Sequence, residues 1–454
     1  MRIKRLAGLL LCASMIFAMA GCSSGGGGEQ TKAPTQEAKK NDKNEETSGA
    51  ASAGAADTDI RIAWWGSQAR NDGTVAVLDL YSSKNLGVTF QPEFSDWSGY
   101  WSKLATQVAG NSMPDVIQMD RTYLSTYVSK GQLADLTPYI ESGLLDVSNI
   151  PESSLNTGKV GDGVYALVLG VNVPCLFYDK DVVAQAGVVL PDQMNYEEFF
   201  NICKTIYEKT GVQTDLDYGK EETYLNLYLR DKGYYLFDED GTKLGLPDEK
   251  PLVDFFQMYV DGLNDGYMVK PEIFMELDPS SVEQNTLVVG KSWCTILFSN
   301  QMSAIVSASG KNIGIASVPA DNVSALQYIK PSQYFSISAN SQNKEEAVKY
   351  LNWFINDKEA NEILLGERGI PANTEVADHI APMMSETDQQ VIKFISVVSE
   401  NCSEISPPVP EGSNEVAANV SKALEAVCYG LKTPEEAAKE FFDQSNEILA
   451  ANKK

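Results

Sequence analysis

The sequence predicts an α/β protein of two lobes, and three observations carry that reading. Strand-like and helix-like periods alternate along the chain from Asp57 onward. About 400 residues follow that point, more than a single core of ordinary size accommodates. Within them, VYALVLGVNVPCLFYDK contains two extended runs separated by Gly170, Asn172 and Pro174, a composition suited to a chain crossing from one lobe to another.

DTDIRIAWW reads as a strand that ends in two indoles, Trp64 and Trp65, before a break at Gly66-Ser67. Asp72 is expected to cap a helix over DGTVAVLDLYSSKN, and GVTFQPEF supplies a second strand. Trp97, Trp101, Leu104 and Val108 recur at helical spacing, so WSGYWSKLATQVAG is an amphipathic helix, and Pro114-Asp115 leads into a third strand, DVIQM. A helix near YLSTYVSKG follows, then LADLTPYI. This order implies a mostly parallel sheet with helices on both faces.

Beyond the crossing, NYEEFFNICKTIYEKTG sets Asn195 and Glu198 at capping-box spacing, with Gly211 as its stop. Helical patterns continue through YLNLYLR and PLVDFFQMYVDGLNDG, building a second lobe. Strands are expected in SWCTILF and NIGIASVP, and an extended run in YFSIS. The helix NKEEAVKYLNWFIND gathers its apolar positions 347, 350, 351 and 354 on one face. Thr433 caps the closing helix TPEEAAKEFFDQSNEILA, with Pro434 at its first position.

Residues 1–21 carry three cations and then an apolar run from Leu6 to Ala20, too short to span a bilayer comfortably, which marks an export signal. It ends in Met19-Ala20-Gly21-Cys22, which resembles the lipobox of bacterial lipoproteins and implies lipidation of Cys22; Met19 stands where that family usually has Leu. The alternative is an ordinary signal peptide with a cysteine near its cut site. Residues 22–58 are then a polar tether without aromatic residues, expected to be disordered and to span roughly 30 to 35 Å. The mature protein is expected to be anchored to a membrane by lipid alone, on the outer face of the cytoplasmic membrane.

Sixty-two acidic against 36 basic residues give a net charge of −26, and loss of Arg2, Lys4 and Arg5 with the signal lowers it to −29, which argues against nucleic acid or any polyanionic partner. Cys175, Cys203, Cys294, Cys402 and Cys428 show neither C-x-x-C nor metal spacing, so no disulfide framework is expected. The single histidine, His379, excludes sites needing two imidazole ligands, and no metal or cofactor is expected.

The ordered pieces IAWWGS, DWSGYWSKL, MPDVIQMDR with KGQLADL, GVYALVLGVNVPCLFYDKDVVAQAG, IGIASVP, EEAVKYLNWFIN, GERGIPAN and YGLKTPEEAAKEFF together resemble the extracellular solute-binding proteins of carbohydrate ABC importers, the family that includes maltose-binding protein. The resemblance covers essentially the whole mature domain. It implies a two-lobed periplasmic-binding-protein-like fold of type II, with 59–170 plus 338–375 as the N-terminal lobe and 173–333 plus 400–454 as the C-terminal lobe. It further implies a sugar in the cleft, an ABC permease as partner, a monomeric receptor and no catalysis.

A sugar ring offers apolar faces and a rim of hydroxyls, so it favours an aromatic plate with polar side chains around its edge. At a strand end, alternation points Trp64 and Trp65 opposite ways; Trp65 is expected to enter the cleft with Trp64 packed beneath it, the reverse being the alternative. Trp97 begins its helix at another strand-to-helix junction and is a further candidate, whereas Trp101 and Trp293 are expected in the core. The resemblance implies that Asp120 and Arg121 contact sugar hydroxyls; the alternative is an Asp120 that caps the next helix beside a solvated Arg121. Asn172 matches a place where maltose-binding protein carries an acid, and Asn300 falls near one of its stacking tryptophans, so at both places this sequence departs from the pattern that serves maltodextrin. Arg70, Tyr334 and Arg368 complete the candidate set. The rival functions are a surface glycosidase with a carboxylate pair and a sensory lipoprotein; within the binding class, phosphorylated and amino sugars are alternatives.

Overall fold

Strand β1, Thr58–Trp65, sets Ile60, Ile62 and Trp64 on one face, all fully buried. It pairs in parallel with β2, Val88–Ser95, on one side and β3, Val116–Met119, on the other. The computed structural model describes residues 58–216, 221–277, 281–407 and 409–452; the export signal, Cys22 and the tether up to residue 57 lie outside the described residues. Beyond a small hairpin of β4, Lys159–Val160, and β5, Gly163–Val164, come β6, Leu167–Asn172, and β7, Pro174–Asp179. The rest are β8, Cys294–Phe298; β9, Ile313–Ala316; β10, Lys330–Ile337; and β11, Ile370–Pro371.

Six strands form one sheet in the order β11-β6-β10-β3-β1-β2. The expectation of a mostly parallel sheet needs a correction: β10 is antiparallel to both β3 and β6, and β11 is antiparallel to β6. The cause is connectivity. β10 enters this sheet on the way back from the second core, so it runs against the strands that leave.

Two hydrophobic cores result. The first surrounds the six-stranded sheet and takes in Ala347, Tyr350, Leu351 and Phe354 from the helix Lys344–Asn356, the face its sequence spacing predicts. The second packs the antiparallel sheet β8-β7-β9 against helices Tyr196–Thr210, Glu221–Asp231, Lys250–Asn264, Ser413–Cys428 and Pro434–Leu449. The capping boxes of Asn195 with Glu198 and of Thr433 with Glu436 both form, and Gly211 takes the left-handed conformation at φ 74°.

The first helix begins earlier than expected. It spans Gln68–Lys84 and its N-cap is Ser67, whose side chain accepts from the Arg70 N–H at 3.3 Å; Asp72 lies inside it and accepts from Gln68 Nε2 at 2.7 Å. The break at Gly66 already permits the extended backbone an N-cap needs, so no residues are left over before the helix.

Asn172 ends β6, Pro174 starts β7 in the second sheet, and Asn172 stands opposite Lys330 at the start of β10. Two crossings between the cores thus run side by side. The five cysteines among the described residues are free, and no described helix is long and apolar enough to cross a membrane. His379 sits in the last turn of the helix Thr374–Ile380, 2.7 Å from Glu362.

Candidate ligand-binding site between the two cores

The ends of β1, β3 and β6 and the start of β10 come together at one edge of the first sheet, where loops and helix starts converge. A cavity of about 400 Å³ opens there. Asp120, Arg121 and Lys330 line it from the first sheet, and Asn226, Phe237 and Tyr328 from elements packed on the second core. Across the paired ends Asn172 and Lys330, a second cavity of about 440 Å³ is lined by Asn172, Asn300, Glu367 and Asp388, among others.

The two indoles at the tip of β1 part as strand alternation requires. Trp64 is fully buried; its Nε1–H donates to Asn71 Oδ1 at 2.9 Å and its ring lies 5.1 Å from that of Phe94. Trp65 is half-buried, with its ring 4.9 Å from Trp97, 5.1 Å from Tyr100 and 5.6 Å from Trp101. Trp97 leaves 43 % of its surface exposed, and Trp101 stacks 3.9 Å from Tyr123. The helix Trp97–Ala109 owes its start to Asp96, whose carboxylate accepts from the Gly99 N–H at 2.9 Å. A half-open aromatic plate thus stands at the same sheet edge as the polar cavity wall: β1 ends at Trp65 beside β3, which leads into Asp120, and Trp101 touches Tyr123 on the helix that Asp120 caps. None of the rings of Trp65, Trp97, Trp101 and Tyr123 lines the cavity itself.

Asp120 caps the helix Arg121–Ser129 through the Thr122 N–H at 2.8 Å, and it also faces the cavity, so capping and wall position coexist. Arg121 is only partly solvated: its guanidinium donates to the Thr157 carbonyl at 3.3 Å and to the Ser406 carbonyl at 2.9 Å. Asn172 is buried on the wall of the second cavity, and Asn300 is exposed at its rim. Trp293 belongs to the second core, its Nε1–H donating to Thr214 Oγ1 at 2.8 Å.

Three candidates stand behind the wall in this structure. Tyr334 is fully buried, its hydroxyl donates to the Thr157 carbonyl at 2.8 Å, and burial pushes its pKa up to about 12. Arg368 is 3 % exposed, bound by Gln118, Gln333 and Thr74; burial, with Arg70 nearby, brings its pKa down to about 9, so it is still a cation at neutral pH. Arg70 is partly buried beside Glu367; burial lowers its pKa, and the carboxylate opposes that shift.

The sequence reading did not single out Lys330, Asn226, Tyr328 or Glu367. Lys330 holds its ammonium 3.8 Å from the centre of the Phe298 ring, at the mouth of the first cavity. The signal was present but faint: the extended run before YFSIS starts at Lys330, four residues before Tyr334. Among the described residues, no group of three or more His, Cys, Asp or Glu is arranged to hold a metal ion.

Two cores joined by paired crossings, with a lined cavity between them, define a ligand-binding protein of the two-lobed type. The bacterial extracellular solute-binding protein family matches residues 76–390, and the chain belongs to that family of exported binding proteins. It is 25 % identical over 341 residues to the galactooligosaccharide-binding protein of Bacillus subtilis, covering 71 % of this chain and 74 % of that one. It is 26 % identical over 380 residues to the diacetylchitobiose binding protein DasA of Streptomyces coelicolor, covering 79 % and 82 %. An extracellular solute-binding protein of family 1 from Alicyclobacillus acidocaldarius has the same fold, with a TM-score of 0.81 at 24 % identity, covering 87 % of this chain and 100 % of the other.

Proposed function

We propose that this protein is a receptor for a sugar or oligosaccharide, held at the outer face of the cytoplasmic membrane by lipid on Cys22, which delivers its ligand to an ABC permease. The observation that carries the reading is the half-open plate of Trp65 and Trp97 at the same edge of the first sheet as a cavity wall of Asp120, Arg121, Asn226 and Lys330. Indole faces suit the axial C–H surface of a sugar, and the polar set suits its hydroxyl rim. The galactooligosaccharide and diacetylchitobiose relatives support the same ligand class.

Delivery requires the lobes, expected from sequence at 59–170 plus 338–375 and 173–333 plus 400–454 but with β10, Lys330–Ile337, belonging to the sheet of the first, to move about the crossings near Asn172 and Lys330. A ligand that touches both walls binds the closed arrangement better than the open one and shifts the population toward it, with no catalytic group needed. The receptor acts as a monomer.

The test is a thermal-shift and tryptophan-fluorescence screen of residues 57–454 against neutral, amino and acidic oligosaccharides, with product analysis of each hit. A saturable shift with the sugar recovered intact is the expected result. Recovery of cleaved sugar makes the protein a glycosidase and refutes the receptor. Copurification with a membrane kinase in place of permease subunits moves it to sensing. Trp65→Ala is expected to weaken binding at least about tenfold at nearly unchanged melting temperature.

A further inference from the structure

The loop 365–369, between the helix Lys358–Leu364 and β11, carries two consecutive charged residues that reach one atom by separate routes. Glu367 acts through Arg70. Its backbone carbonyl accepts from Arg70 Nη2 at 3.2 Å and its carboxylate lies 3.4 Å from Arg70 Nε, while Arg70 Nη1 donates to the Trp65 carbonyl at 3.3 Å. Arg368 acts through Gln118. Its Nη1 donates to Gln118 Oε1 at 2.6 Å, and Gln118 Nε2 donates to the same Trp65 carbonyl at 3.3 Å.

Loop geometry fixes both routes. Leu365, Gly366 and Gly369 have φ of 42°, 75° and 93°, so the chain turns through left-handed conformations on either side of Glu367-Arg368. A Cβ on Gly369 would stand 2.8 Å from Ser332 Oγ, so the loop is seated directly on β10. Arg368 is pinned further by Thr74 Oγ1 at 2.8 Å, Gln333 Oε1 at 3.0 Å and the Phe335 ring at 4.9 Å. Gln118 is fully buried, and with its oxygen turned to a guanidinium its amide nitrogen has to face the Trp65 carbonyl.

The position needs such support. Trp65 pairs with Ser95 as the last residue of β1, and past it the Gly66 N–H still donates to the Ser95 carbonyl at 3.2 Å, on a residue without a side chain to pack. From this geometry we infer that Glu367 and Arg368 are positioning residues for the ligand plate: through Arg70 and Gln118 they clamp the Trp65 carbonyl, which holds the indole against Trp97 and Trp101 before a ligand arrives. This rests on the reading of Trp65 as the plate. A plate held in advance spares the ligand the cost of ordering it.

Gln118→Glu tests the clamp, because it keeps an acceptor for Arg368 at the same shape and replaces the donor to Trp65 with a carboxylate oxygen facing a carbonyl oxygen. The expected result is an unchanged or raised melting temperature, an altered near-ultraviolet circular dichroism of the indole cluster, and about tenfold weaker binding of diacetylchitobiose or galactooligosaccharide. Arg70→Met, on the half-buried arm, is expected to act in the same direction and serves where Gln118→Glu does not fold. Unchanged near-ultraviolet spectra in both variants overturn the clamp, and that readout needs no ligand. Affinity lost with Trp65→Ala but kept with Gln118→Glu and Arg70→Met also overturns it. Affinity untouched by Trp65→Ala overturns the plate reading itself.

Discussion

At the residue scale, Trp64 and Trp65 are chemically identical neighbours in opposite environments, and the difference is burial. Trp64 fills the core and spends its N–H on Asn71. Trp64→Ala is expected to cost about 3 to 5 kcal/mol in urea denaturation, the range for removing a large buried aromatic side chain. Trp97, 43 % exposed, is expected to cost under about 1 kcal/mol on truncation to alanine while weakening sugar binding, so the same two assays separate a core indole from a surface one. That the two indoles part was legible in the sequence, because strand alternation turns adjacent side chains to opposite sides; which of them is the buried one was not, since both orientations satisfy the alternation. The placing of Arg368 and Tyr334 behind the wall was not. A guanidinium whose two terminal nitrogens are bound by Gln118, Gln333 and Thr74 buries itself with neutral partners from three distant segments, and no local pattern announces that.

At the element scale, Glu93 ties three elements at the edge of the first sheet. On β2, it accepts from Arg61 of β1 at 2.6 Å, from Lys103 of the helix Trp97–Ala109 at 2.8 Å and from Gln107 of that helix at 2.8 Å. Burial alone raises its pKa, yet the hydrogen bonds from Lys103, Arg61 and Gln107 outweigh burial and leave it lowered. A carboxylate with a depressed folded pKa contributes stability above its unfolded pKa, and that contribution disappears as pH falls through the folded value. The urea midpoint of the wild type is therefore expected to exceed that of Glu93→Gln near neutral pH, with the gap closing once pH drops below the ordinary carboxylate value of about 4.5. A gap constant from about pH 7 to 3 would show that the bonds do not depend on the charge. Elements with their own caps, such as the helices begun by Asn195 and Thr433, were readable from sequence because the signal is local. The antiparallel insertion of β10 between β3 and β6 was not, since its partners lie more than 150 residues away in the chain.

At the scale of the whole molecule, Arg121 joins the two cores. It follows β3 of the first sheet and donates to the Ser406 carbonyl at 2.9 Å, in a segment seated on the second core by Arg230. The seat is stiff: the buried Arg230 donates to Ser406 Oγ at 2.8 Å and to Ser403 Oγ and the Glu404 carbonyl at 2.6 Å each. A hydrogen bond from a charged donor contributes roughly 1.5 to 3 kcal/mol, enough to shift a two-state lobe equilibrium about tenfold or more. Arg121→Ala is therefore expected to enlarge the radius of gyration of the ligand-free protein in small-angle scattering with little change in melting temperature, because both cores stay intact. Its effect on affinity mixes two losses, the wall contact and the bridge. Ser403→Ala separates them: Ser403 does not line the cavity, and its loss loosens the seat of the carbonyl while leaving the Arg121 guanidinium in place. If the bridge sets lobe spacing, Ser403→Ala reproduces the scattering change with a smaller loss of affinity than Arg121→Ala. If the scattering curves of both variants superimpose on that of the wild type, Arg121 lines the cavity without governing how far the lobes stand apart.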